Sequence, residues 1–266
     1  MTLGASPQPA DVVAELGLSL PYTFQKSDPK PWWLADLTTA SNIVFPTSFA
    51  NKQSIKQVDV TALSALGTSH SFAGVNFGTD FTGRVIFVVV AALTKASADT
   101  SGWSLSGGTI GGQADAGPGG MVWFQGGSGS TVFTGSASMR AQPSGTSGTI
   151  SFNTATQTRC ICTVLSIANC HLTSTDSGSA GVSSTGGSTS LNVPTNGILI
   201  SGAVKNNTNT IGYSGITLRG QQSPLAGYQI AWGWDNRLSL QSGLAVSFSS
   251  TGSAACAFGV SSHTQP

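Results

Sequence analysis

The stretch TRCICTVLSI, Thr158 to Ile167, alternates with a period of two. In an extended chain Arg159, Ile161, Thr163, Leu165 and Ile167 fall on one face, and Cys160, Cys162, Val164 and Ser166 on the other. Neither set is strongly polar, so this strand is expected at the centre of a sheet covered on both sides. Val85 to Leu93, VIFVVVAAL, is the longest apolar run. It is about half of the ~20 residues that span a bilayer as a helix, so it reads as a second buried strand. Leu244, Val246 and Phe248, by contrast, alternate with Ala245, Ser247 and Ser249, as in a strand with one wet face.

Outward from these three, further β-type runs are separated by Gly, Ser, Thr and Asn turns. They are Ile55–Leu63, Trp103–Ile110, Met121–Gln125, Thr131–Ala137, Gly148–Phe152, Thr189–Val193, Gly197–Lys205, Gly227–Trp234 and Ala255–Ser261. Many short strands with regular turn signals are the pattern of a sandwich or barrel, and nothing has the strand and helix alternation of a βαβ fold. The expected fold is all-β, an antiparallel β-sandwich of jelly-roll-like type over residues 51–266. The runs GGSGS from Gly126 and SGSAGVSSTGGSTS from Ser177 read as loops.

Residues 1–50 differ from this body. Asp11 to Leu16 has Val12, Val13 and Leu16 at helical spacing, with Gly17 placed to stop a short helix. Pro21, Pro29 and Pro31 then enforce an extended path. Tyr22, Phe24, Trp32, Trp33 and Leu34 bring large apolar area into a segment that cannot bury it locally. That cluster either packs on its own sandwich or docks on a partner.

Only 8% of residues are charged, against roughly 25% in an average soluble protein. Such a chain is hydrated by hydroxyl and amide side chains or covered by neighbouring subunits. The formal net charge is +1 with scattered basic residues, which gives no footprint for nucleic acid. No run points to a membrane, and the opening MTLGASPQPADVV lacks the features of a secretory signal, so assembly in the cytoplasm is expected.

The residue types that carry chemistry are sparse. One Glu and nine Asp offer few pairs for glycoside hydrolysis, Asp80 with Asp235 being one such pair on paper. Cys160, Cys162, Cys170 and Cys256 match no zinc spacing and read as small buried residues. His171 follows Cys170 directly, which sends the two side chains apart; His263 is expected in a terminal tail. His70, in GTSHSF, has many serines about it but no G-x-S-x-G elbow. GGTIGGQADAGPGG lacks the lysine of a phosphate-binding loop. No catalytic residue, cofactor or metal site is therefore expected. The best binding candidate is Tyr228, Trp232 and Trp234 with Asp235 and Arg237. The aromatic side chains share one strand face, either as core or subunit contact or as a platform for a sugar ring.

Ala14-Glu15-Leu16-Gly17, Ser27-Asp28-Pro29 and Ala35-Asp36-Leu37 resemble a short N-terminal module of tailed-bacteriophage proteins. Lys30-Pro31-Trp32-Trp33 stands where that module has Arg-x-Leu-Ala-Gly. The body, through GTDFTGRVIFVVVAAL, SGTISFNTATQTRCICTVLSI, SLNVPTNGILISGAV and AACAFGV, is similar to Gly/Ser/Thr-rich virion proteins. The resemblance implies a non-enzymatic sandwich protein of a phage virion, assembled in the host bacterial cytoplasm. It would be a head decoration, a neck or collar component or a tail-fibre adaptor. The implied partners are other virion proteins and further copies of itself, with a homotrimer favoured and residues 1–50 as docking segment. A host glycan is the alternative partner, with Tyr228 to Arg237 as its site.

Overall fold

A computed structural model describes residues 55–81, 83–95, 103–116, 134–168, 170–182, 186–195, 197–237, 239–251 and 256–264, without the side chains of residues 181, 182 and 237. The strands are β1 (Ile55–Val60), β2 (Gly67–Asn76), β3 (Arg84–Lys95), β4 (Leu105–Ile110), β5 (Gln113–Ala114), β6 (Thr134–Ala141), β7 (Ser147–Ala168), β8 (Ser174–Val182), β9 (Gly186–Val193), β10 (Gly197–Lys205), β11 (Ile211–Ser214), β12 (Leu218–Gln222), β13 (Gln229–Arg237), β14 (Gln241–Ser250) and β15 (Cys256–Thr264). There is no helix among the described residues. The expected helix at Asp11–Leu16, the cluster from Tyr22 to Leu34 and the expected strand Met121–Gln125 lie outside them.

The described residues are all-β and antiparallel, in three sheets. The first is built around β7, whose 22 residues join two runs that read as separate strands in the sequence. On one edge β7 pairs with β2 near its start and with β1 near its end; on the other it pairs with β4 and then β3, beyond which lies β6. Its even-numbered residues from Ile150 to Ser166 are all buried, whereas its odd ones are buried only from Ile161 onward.

This one-sided pattern goes with a strong curl. Asn76 pairs with Ser147 at the start of β7, yet its side-chain amide donates to the Val58 carbonyl and its main-chain N–H to the Asp59 carboxylate on β1. β1 runs beside Thr163–Ile167, so the two halves of β7 fold toward one another. On the opposite side Ala116 N–H donates to Arg140 O, and Arg140 N–H to the Asp115 carboxylate, which brings β4 and β5 against β6. The sheet thus wraps round its own core, in which Phe77, Trp103, Met139, Phe152, Cys160 and Cys162 meet.

The second sheet runs β12-β13-β10-β15-β8 and the third β11-β14-β9. Ile198, Ile200 and Val204 of β10 and Ile230, Trp232 and Trp234 of β13 pack on Phe87, Val89, Ile161 and Leu165 of the first sheet. Leu199, Ala203, Ala231 and Phe258 point the other way, onto Val246, Phe248 and Leu191 of the third. The expected sandwich is therefore present twice, as three layers with the second sheet in the middle. The Gly/Ser run read as a loop is instead β8 and β9, joined through residues 183–185. β8 needs few apolar side chains because it borders its sheet beside β15 and packs against β9. A side chain at Gly178 would collide with Thr189.

One buried arginine fastens the loops at the end of the first sheet. The Arg84 guanidinium donates to the carbonyls of Gly78 and Thr79 through Nη1, and to those of Pro143 and Gly145 through Nη2. Asp80 lies 3.4 Å away and also accepts the Gly145 N–H at 2.6 Å. Hydrogen bonds to a charged group are worth about 1.5–3 kcal/mol each. We expect Arg84→Met to lose at least ~3 kcal/mol in urea denaturation, because the buried Pro143 carbonyl is left without its donor and three part-buried carbonyls lose a charged one.

Candidate functional site

The aromatic ladder on β13 lies inside the molecule. Tyr228, Trp232 and Trp234 are 4%, 5% and 7% exposed and belong to the core between the first and second sheets. Trp232 Nε1–H donates to Gln57 Oε1 of β1 at 2.8 Å. Its ring lies over Gly220 of β12, where a Cβ would come within 2.5 Å of the indole, so only glycine fits. Arg219 covers Trp234, its guanidinium carbon 5.4 Å from the ring centroid. Arg219 also pairs with Asp235 at 3.3 Å, and the other Asp235 oxygen accepts the Thr217 N–H. With the rings covered and the carboxylate engaged, the ladder presents no open aromatic face to a sugar. The Arg237 main chain pairs with Gly197, while its side chain lies outside the described residues. Arg219, a cross-strand neighbour, carries no local signal in the sequence.

A second grouping lies at the bend of β7. A cavity of about 530 Å³ is lined by residues between Asp59 and Val75, among them Ser64, His70 and Phe72. His70 Nδ1 is 3.0 Å from Ser64 Oγ; its Nε2 is 3.3 Å from Thr154 Oγ1 and 3.7 Å from Cys160 Sγ. The Ser64 oxygen also accepts the Cys160 N–H at 2.9 Å, tying it to the strand. Burial lowers the His70 pKa, with an opposing contribution from the Gly67 backbone, and so favours a neutral ring. The far nitrogen meets a threonine hydroxyl and a thiol where a hydrolytic triad has a carboxylate. Through these bonds the pair bridges the bend of β7.

The remaining candidates separate. Asp80 is engaged by Arg84 and Gly145, and Asp235 by Arg219 and Thr217, so each carboxylate has its own structural task. Cys170 is buried while His171 is exposed. All four cysteines are buried free thiols, and burial pushes Cys160 and Cys170 up to about 12 and Cys256 to about 11. Among the described residues no group of three metal-ligating side chains occurs. His263, expected in a tail, is instead 0% exposed in β15, because that strand is paired on both edges. Its Nε2 is 3.0 Å from Ser261 Oγ and its ring meets Phe87 edge-on at 5.4 Å.

What the molecule does present outward is hydroxyl-rich. The outer face of the third sheet carries Ser188, Ser190 and Asn192 of β9, Ala245, Ser247 and Ser249 of β14, and Gly212 and Ser214 of β11. Ser188, Ser247 and Ser214 stand in register across the three strands. The exposed side of the first half of β7 is similar, with Ser71, Ser151 and Thr109 in one row and Ser69, Asn153 and Ser106 in the next. Neither set includes a charged side chain. No protein-family model, curated protein or solved structure matches the chain.

The buried histidines make stability depend on pH with a defined sign. Burial first, and the Arg140 charge second, lower the His263 pKa to about 4 from 6.5. A depressed histidine pKa means that the unfolded state binds more protons, so stability is full above pH 6.5 and falls toward pH 4. A shift of that size corresponds to roughly 3 kcal/mol. We expect urea-unfolding free energies to drop across that window, and His263→Gln to flatten the slope.

Proposed function

We propose that this chain is a non-enzymatic structural subunit of a tailed-bacteriophage particle, acting through packing against its own copies and other virion proteins. The observation that carries the proposal is the outer face of the third sheet, uncharged and lined with serine, glycine, alanine and Asn192. Short side chains let another surface approach closely, and hydroxyl groups exchange bonds with water for bonds across a contact at little cost in side-chain entropy. A face without charge lacks the repulsion that keeps most soluble proteins apart. The resemblance of the N-terminal segment and body to phage virion proteins supports the same reading. Within it the chain is a head decoration, neck or collar, or tail-fibre adaptor protein, with a homotrimer as the favoured state. Tyr22, Phe24, Trp32, Trp33 and Leu34 supply the contact to other virion proteins.

Binding of a host-surface glycan is the competing reading. The covered rings of Trp232 and Trp234 count against it, and saturable binding on a glycan array would revive it. For assembly, we expect the wild type to sediment as an oligomer at micromolar concentration. Ser190→Lys/Ser247→Lys should keep the circular dichroism spectrum, sediment as a monomer and fail to enter particles. A wild type that stays a monodisperse monomer, or a double variant that assembles normally, overturns the proposal.

A further inference from the structure

β1 and β2 lie on the same edge of β7, and the chain between them follows that edge round the bend. The Thr61 and Ser64 N–H groups donate to the Cys162 and Cys160 carbonyls, so contact with β7 continues through the connection. Asn76, at the far end of β2, returns to β1. Its side-chain amide donates to the Val58 carbonyl at 3.2 Å and its main-chain N–H to Asp59 Oδ2 at 2.8 Å. The segment from Val58 to Asn76 is thereby closed into a ring, pinned again by the 3.0 Å contact between Ser64 Oγ and His70 Nδ1.

The cavity of about 530 Å³ belongs to this ring. Every residue from Asp59 to Val75 except Thr68 lines it, and no residue of β7 does. Side chains of a strand alternate between faces, so a cavity over a sheet face meets every second residue. One that meets consecutive residues lies along the strand edge, where main-chain N–H and C=O groups point. Among the described residues no strand pairs with β1 or β2 on the edge away from β7, so these groups are open to a ligand. The volume is that of a small-ligand site, and the mouth of a curled sheet is a common place for one.

The charge on the wall is one-sided. Asp59 supplies the only carboxylate, and no lysine or arginine lies there. Its Oδ2 is taken by Asn76, whereas its Oδ1 accepts no hydrogen bond and enters no ion pair with a described residue. His70 is 2% exposed, and burial favours its neutral ring, so it does not supply the missing positive charge. Val60, Leu63 and Phe72 add apolar surface. An open carboxylate oxygen, unpaired carbonyls and an apolar wall suit three N–H donors on a short methylene stem. An anion would be repelled by Asp59.

We propose that the cavity between β1 and β2 binds an alkylammonium group, with Asp59 Oδ1 as counter-charge, edge carbonyls as further acceptors, and Val60, Leu63 and Phe72 against the methylenes. The group comes from a free aliphatic amine or from a lysine side chain of a partner protein. The site is on the first sheet, apart from the outer face of the third, so it stands or falls independently of the assembly reading.

The test titrates the full chain by calorimetry with cadaverine and with Nα-acetyl-lysine methylamide, using propionate and the Nε-acetylated lysine amide as controls. We expect one saturable site per chain, with a Kd of about 1 mM or tighter for at least one amine and no binding of either control. Amide resonances that shift on binding should concentrate in residues 59–76. Tighter binding of cadaverine assigns the site to free amines, and tighter binding of the lysine amide to a protein side chain. Asp59→Asn keeps an oxygen for the Asn76 N–H but loses the charge, and should bind about tenfold more weakly or worse. The proposal is overturned if neither amine saturates by about 10 mM, if the controls bind equally well, or if Asp59→Asn binds like the wild type. If Asp59→Asn fails to fold, Ser71→Lys places a competing ammonium at an exposed position of the wall; unchanged affinity in that variant is equally fatal.

Discussion

Every main-chain N–H and C=O of a long strand must find a partner on both edges, and β7 sets this demand for 22 residues. A straight strand of that length would run roughly 70 Å, far beyond a compact domain of this size. Curling resolves the conflict. β7 bends so that β1 and β2 share one edge and β3 and β4 the other, and its even-numbered side chains become the lining of a closed core. The Thr154, Thr156 and Thr158 side chains, with His70 and Ser64, fill the inside of the bend. Hydroxyl groups suit this place because they can bond main-chain atoms that the curvature has pulled off the ladder, as Thr154 does with the Thr156 carbonyl.

The outer surface of that curl then decides the second layer. From Ile161 onward the odd-numbered face of β7, continued by Phe87 and Val89 of β3, is apolar and has to be covered. The second sheet covers it with Ile198, Ile200, Trp232 and Trp234, and its own opposite face calls for the third sheet. Gly220 takes part by leaving room for the Trp232 indole, and Gln57 holds that indole from the first sheet. The layers are joined through named side chains, so an aromatic set suited in principle to ligand binding is committed to packing.

Polar groups inside the stack are handled in two ways. Arg84 gathers four loop carbonyls, and Lys205, 0% exposed, donates to Ser250 Oγ and the Thr210 carbonyl. Each places a cation where it satisfies main-chain carbonyls, and for Lys205 also the Ser250 hydroxyl, which costs less than leaving such acceptors buried without a donor. Other buried groups stay without a hydrogen bond, among them Arg140 Nε and Nη1, Trp103 Nε1 and the Thr134 and Ser136 hydroxyls. The outward faces follow the opposite rule, since uncharged hydroxyl side chains hydrate them.

Residue alternation alone determined that the chain is all-β, that Thr158–Ile167 is a central strand and that the cysteines on it are buried. The low charge determined that the surface is either hydrated by hydroxyl and amide side chains or covered by neighbouring subunits. These properties depend on neighbours two residues apart or on totals, and both survive without knowledge of the fold. Tertiary structure decided the rest. Gly148–Phe152 and Thr158–Ile167 became one strand because four other strands pair along it, and Ser174–Val182 became a strand because β15 offers it an edge. It also decided that Tyr228, Trp232 and Trp234 are core, since the residues covering them lie as far away as Gln57, and that His263 is buried beside Phe87. A side chain's periodicity gives the face it shares, but what lies opposite that face is set by pairing between distant segments, which no local pattern encodes.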